Sequence, residues 1–200
     1  SVFAKKGRYG AHMEDIAALA HINKAMIYYI FRSKDELYLE VLKAVFTETA
    51  TSLSRFENVE LKTRSDYIQF FTNFIKGQIS FFHINSLFTK IMIDAMSNGG
   101  EEIKLALQHY KANSNNEGTS SMFRAVIDKG IADGFIRNID VDQFIISIVG
   151  MINVYFLSPI MAESLDIDIK DENIFLEERK ESIIDLVLNS ILINGTGKRD

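Results

Sequence analysis

The chain has 200 residues, 47% of them hydrophobic and 24% charged, which is ample apolar content to bury a core in one large or two small domains. It has no cysteine, so a disulfide framework and thiolate metal sites are excluded and a reducing cytoplasm is the expected setting. The net charge of −5 disfavours nucleic acid as a partner only if it is evenly spread, and it is not: residues 1–34 hold six Lys or Arg against Glu14 and Asp15, net +4, leaving −9 for the rest.

One proline, 11 glycines and no defensible strand pattern point to an all-α chain. Ser1 to Gly7 reads as the last two turns of a helix closed by a C-terminal glycine, with a piece expected to be missing upstream. Met13, Ile16, Ala17 and Ala20 then recur at helical spacing and line one face of a short helix. His21-Ile22-Asn23 interrupts it. Asn23 is a good N-cap for a second short helix, Lys24 to Phe31, whose Ile27, Ile30 and Phe31 are expected to pack back on the first. Ser33-Lys34-Asp35-Glu36 is a capping box for the helix that follows.

The outward face of the second short helix carries Lys24, Ala25, Met26, Tyr28 and Tyr29, a mix of cationic, small and aromatic groups with no carboxylate. An anionic groove accepts such a surface: Lys24, Lys34, the Tyr hydroxyls and free helix N–H groups suit phosphates, while Met26 and Tyr29 suit base edges. Gly7, Ile16-Ala17, the run Ala20 to Phe31, Lys34 and Leu37 keep a recognisable spacing, and here the chain resembles the tetracycline-repressor (TetR) family of bacterial transcription regulators. The resemblance covers about 35 residues. It implies DNA-contact roles for Asn23, Lys24, Ala25, Met26, Tyr28, Tyr29 and Lys34, with the helix start near His12 at a phosphate, and a lost upstream piece that often bears a basic arm. Three positions depart from the family pattern. Ala11-His12 stands where two hydroxyl residues are usual, His21 replaces the turn glycine, and Ile30 replaces a Tyr or His. If position 21 needs φ > 0, His occupies it at a cost of roughly 1 kcal/mol.

Asp35 to about Phe56 predicts a long helix with Leu37, Val41, Leu42, Val45 and Phe46 on one stripe, followed by a charged break at 57–64. Ser65 to about Met96 is rich in Phe and should split near His83-Ile84-Asn85-Ser86. These aromatics serve either as plain core or as the lining of a cavity for a small apolar or amphipathic effector, which the resemblance favours. Phe70, Asn73, Phe74, Gln78, His109, Tyr110 and Asn153 are the candidate effector contacts. Asn98-Gly99-Gly100 marks a loop. A helix through Tyr110, a polar break at 113–118 and a helix from Thr119 to Phe135 follow, and Asp140 or Asp142 opens the next. Phe144 to Ala162 then has no charge across 19 positions. It approaches membrane-span length, yet Ser147, Asn153, Ser158 and Pro159 and the lack of flanking Lys or Arg argue against lipid. With the stripe Ile183, Ile184, Val187, Leu188, Ile191 and Leu192 it reads instead as half of a four-helix dimer interface, through helices at about 141–162 and 177–193. Residues 163–172 should be a solvated acidic loop and 195–200 a disordered tail.

No catalytic constellation emerges: His12, His21, His83 and His109 lack metal-binding spacing and no phosphate-cradling loop occurs, so neither a metal nor a cofactor is expected. The sequence reading is therefore an all-α DNA-binding transcriptional regulator, not an enzyme. It has a helix-turn-helix domain at 1–46, whose three helices form the head, and a ligand-sensing, dimerising helical bundle at 47–200. Its expected partners are a near-palindromic double-stranded operator, a second copy of itself and an unknown effector. Its expected place is the bacterial cytoplasm, at the nucleoid when bound to DNA, with ligand-relieved repression as the expected polarity. A helical enzyme or a protein-interaction module are the alternatives.

Overall fold

The computed structural model describes residues 2–56, 59–113, 119–157 and 160–193. Ser1, the start of the charged break, the polar break from 114, Ser158, Pro159 and the expected tail lie outside them. The described residues form α1 (Val2–Gly10), α2 (Met13–Ala20), α3 (Lys24–Phe31), α4 (Lys34–Ser54), α5 (Arg64–Ile84), α6 (Ser86–Ser97), α7 (Glu101–Asn113), α8 (Thr119–Ala132), α9 (Val141–Leu157), α10 (Ile160–Ser164) and α11 (Glu172–Ile191). Among the described residues the fold is all-α as expected, with an isolated bridge between Ile136 and Leu192 and no strand. No helix of the described residues is long and apolar enough to cross a membrane. Packing divides the chain into two compact units, residues 1–51 with 85–116, and residues 52–84 with 117–200.

In the first unit, Met13 and Ala17 of α2 close on Ile27 of α3, with Ile16, Phe31 and Leu37 packed around them. A second core joins Phe3, Tyr38 and Leu42 to Ile91, Ala95 and Ala106, so α6 and α7 pack with the N-terminal helices although they follow α5 in sequence. Two expectations on the short helices fail. Ala20 lies exposed, and Ile30 is 55% exposed rather than packed back, because Ile27 and Phe31 alone fill the small α2–α3 contact. Gly7 does not end α1 but bends it at φ 68, ψ 177, and the helix resumes to Gly10. The capping box at Ser33 is half formed. The Glu36 N–H donates to Ser33 Oγ at 3.0 Å, while the Ser33 N–H turns to the Phe31 carbonyl.

The second unit is built on aromatic packing along α5. Phe70, Phe71 and Phe74 are buried against Phe123 of α8, with the Phe74 and Phe123 ring centroids 4.6 Å apart and nearly perpendicular. Ile148 and Ile152 of α9 and Leu176, Ile183, Ile184, Val187 and Ile191 of α11 complete the core. Asp140 caps α9 by accepting from the Asp142 and Gln143 N–H groups, and Asp171 caps α11 by accepting from Asn173 and Ile174. The final helix thus starts at Glu172, five residues before the sequence boundary, because Asp171 supplies a cap that hydrophobic spacing does not reveal.

Candidate functional site

The α2–turn–α3 segment presents the expected face to solvent. Asn23 caps α3, its Oδ1 accepting from the Ala25 N–H at 2.8 Å, and His21 takes the left-handed turn position at φ 56. Met26, Tyr28 and Tyr29 are 52%, 41% and 89% exposed, and Ala25 is exposed beside them. His12 precedes α2 in extended backbone and makes no side-chain cap.

The cations of this unit are less free than their number suggests. Lys24 pairs with Glu14 of α2 and lies 5.6 Å from the Tyr28 ring centroid. The hydrogen bond between them holds the Lys24 ammonium above its ordinary value and the Glu14 carboxyl below its own. Lys6 pairs with Asp15 at 2.7 Å, and Arg8 with Asp35 at 3.1 Å and with Glu102. Lys34 donates from Nζ to the carbonyls of Tyr9 at 3.2 Å and Ala11 at 3.0 Å, capping the C-terminal end of α1. Arg32 and Lys5, which the sequence reading counted as charge but did not place at the site, are exposed and have no ion pair among the described residues. Arg32 follows α3 directly at φ 54. Its position one turn beyond Tyr28 and Tyr29 was the available signal.

Of the candidate effector contacts, Phe70 and Asn73 come together in a surface groove of about 460 Å³ in the second unit. One side is the α5 face Asp66, Gln69, Phe70, Asn73 and Gly77, and the other is Arg55, Phe56, Val59 and Glu60. The Arg55 guanidinium lies 4.8 Å from the Phe56 ring centroid and rests on Gly77, where a Cβ would overlap it. Nothing in the sequence links Arg55 to a glycine in the next helix. Phe70 and Phe74 both belong to the aromatic core. Gln78 is 4% exposed, and its Nε2 has no partner among the described residues, as is true of Asn153 Oδ1. His109 and Tyr110 stand on α7, in the first unit. Arg179, which sequence reasoning missed, has its Nε buried without a partner while its Nη2 donates to the Met151 carbonyl. No group of three or more His, Asp or Glu among the described residues could hold a metal.

Residues 1–41 match the family described as bacterial regulatory proteins, tetR family. The HTH-type transcriptional repressor NicS of Pseudomonas putida is 38% identical over 65 residues, 32% of this chain and 27% of that protein, so the match spans about a quarter of the relative's length. Among solved structures, a putative transcriptional regulator from Saccharomonospora viridis in complex with choline has a TM-score of 0.70 at 13% identity, covering 96% of this chain and 93% of its own. The regulator FadR from Bacillus subtilis in complex with stearoyl-CoA has a TM-score of 0.67 at 16% identity, covering 94% and 93%. Likeness at such identities is likeness of fold.

Proposed function

We propose that this chain, whose residues 1–41 match the tetR family of bacterial regulatory proteins, is a ligand-relieved repressor acting in the bacterial cytoplasm. It binds a near-palindromic DNA operator as a homodimer. The observation that carries the reading is the α3 face: a capped helix whose Ala25, Met26, Tyr28 and Tyr29 point to solvent, flanked by Lys24 and Arg32. Such a helix fits a major groove, with bases met by Met26 and Tyr29, and phosphates met by Lys24, Arg32, Tyr28 and the start of α2 that His12 leaves without a side-chain cap. Asn23 acts through its cap, and Lys34 through the α1 carbonyls it holds.

The dimer surface is formed by α9 and α11, where Ile146, Ile174 and Leu186 are 65%, 59% and 57% exposed, a costly display unless covered. A two-fold pair sets its α3 helices about 34–36 Å apart, one turn of duplex. An effector bound in the second unit, against Phe70 and Asn73 or the buried amides Gln78 and Asn153, favours a conformer that does not fit the operator and so shifts the population off DNA. The similar structures carry ligands as different as stearoyl-CoA and choline, so the effector class must be argued from this chain's own side chains.

The test is to sequence the genomic fragments that the full-length protein retains. Enrichment of one near-palindrome, lost with Lys24→Ala and Tyr28→Ala together, is the expected result. Retention without sequence enrichment, or no retention, overturns the reading.

A further inference from the structure

We propose that Gln78 and Arg179 form a buried receptor for an oxyanion carried on an apolar chain, inside the second unit. Ring contacts set the register of α5 against α9. Phe71 lies 5.9 Å from Phe144 and Phe82 lies 5.9 Å from Phe156, so the two helices run side by side in the same direction and Gln78 falls level with residues 151–152. The pairs Lys76–Glu181, at 2.6 Å, and His83–Glu172, at 4.0 Å, run α11 antiparallel to α5 and bring residue 179 to the same level. The bond from Arg179 Nη2 to the Met151 carbonyl fixes that level directly. Arg179 therefore reaches the turn of α9 with which Gln78 lies level.

Their hydrogen-bonding capacity is unfilled there. Gln78 Nε2 and Arg179 Nε are both buried donors without an acceptor among the described residues. Arg179 has no carboxylate within ion-pair distance among them, and burial pulls its guanidinium below the ordinary value. The nearby Glu172 carboxylate is engaged by the Tyr155 hydroxyl at 3.1 Å. A half-buried guanidinium whose Nε lacks an acceptor and a buried amide donor left unmatched are costly, and buried polar atoms that lack partners in a folded protein call for a bound species. One oxyanion satisfies both donors and the charge. Its surroundings, Ile152 with Phe82 and Phe156, suit an aliphatic tail. The receptor binds an amphipathic acid, head toward Arg179, through charge-assisted bonds of the kind arginine makes with carboxylates and phosphates.

The proposal rests on the reading of the second unit as the effector-binding part, but not on DNA binding, so its test uses the free full-length protein. Octanoate, octyl phosphate and octanol are titrated calorimetrically into the wild type, Arg179→Met and Gln78→Leu. At least one of the two anions should bind the wild type tenfold or more tighter than octanol, and which one does identifies the head group. Arg179→Met should remove that advantage while leaving octanol unchanged. Gln78→Leu should weaken the anion several-fold yet raise the Tm of the unliganded protein, because it replaces an unmatched buried amide by an apolar group of similar size. Equal binding of anions and octanol, no anion binding by the wild type, or a lowered Tm in Gln78→Leu would each overturn the proposal. A failed operator search with intact anion binding would sink only the DNA reading.

Discussion

Gly7 is the position where one methyl group should do the most damage. Its backbone, at φ 68 and ψ 177, lies in a region that only glycine enters freely, so alanine costs about 1–3 kcal/mol there. A Cβ at this point also falls on the Asp94 carboxylate of α6. That carboxylate accepts from the Arg8 N–H at 2.9 Å and from the Tyr38 hydroxyl at 2.7 Å. Burial first, and then Asp94, hold the Tyr38 phenol protonated well above its usual range, so the oxygen donates throughout any practical pH. Pushing Asp94 aside forfeits bonds to a charged acceptor, each worth about 1.5–3 kcal/mol. If both bonds are lost, Gly7→Ala should therefore cost about 4–9 kcal/mol, a large part of a typical folding free energy. In an Asp94→Ala background the same change should cost only the backbone share, about 1–3 kcal/mol, because the clash and both bonds are already gone. The assay is urea unfolding followed by far-UV circular dichroism, since the chain has no tryptophan, with hydrogen exchange at the Arg8 amide reporting the bond itself. A Gly7→Ala cost below about 1 kcal/mol, or strict additivity with Asp94→Ala, would refute the reasoning.

Other expectations separate a structural role from a phosphate-binding one. Arg32→Gln should leave stability unchanged and make the log–log salt slope of operator binding shallower by about one for each phosphate that Arg32 neutralises. Lys34→Gln should instead destabilise the fold by about 1 kcal/mol through loss of its bonds to the Tyr9 and Ala11 carbonyls, and flatten the salt slope less. Both are read by thermal melts beside anisotropy titrations. Asp66 caps α5, accepting from the Lys62 and Thr63 N–H groups at 2.8 and 2.7 Å, and these bonds hold its carboxyl below the ordinary 3.8. A depressed carboxyl stabilises above its unfolded value and loses that contribution as pH falls through the folded one. The Tm gap between wild type and Asp66→Ala should be full at pH 7 and shrink below about pH 4; a gap that widens on acidification contradicts the assignment.

What the sequence made legible was local. The Asn23 cap, the exposed α3 face, the positive φ at His21 and the split between α5 and α6 all depend on residues within a turn or two of each other. The misses came from tertiary partners. Gly7 reads as a helix end until Asp94 of α6 is known to sit beneath it, and Ile30 reads as core until Ile27 and Phe31 are seen to make the α2–α3 contact without it. The bonds from Lys34 to the α1 carbonyls likewise join residues more than twenty positions apart and leave no trace in the sequence. The phenylalanines of α5 could line a chamber or fill one, and Phe123 of α8 decides for filling at Phe71 and Phe74. Arg179 sits among Glu177, Glu178 and Glu181 in sequence and looks solvated, yet its helical phase turns it toward Met151.

The most direct test of the central claim is the salt dependence of binding to a duplex recovered from the genomic screen, measured by fluorescence anisotropy for wild type and the Lys24→Ala, Tyr28→Ala double variant. The account predicts a log–log slope steeper than about −3 for the wild type, and at least about tenfold weaker binding with a shallower slope for the variant. Affinity indifferent to salt and equal in the two proteins would contradict it.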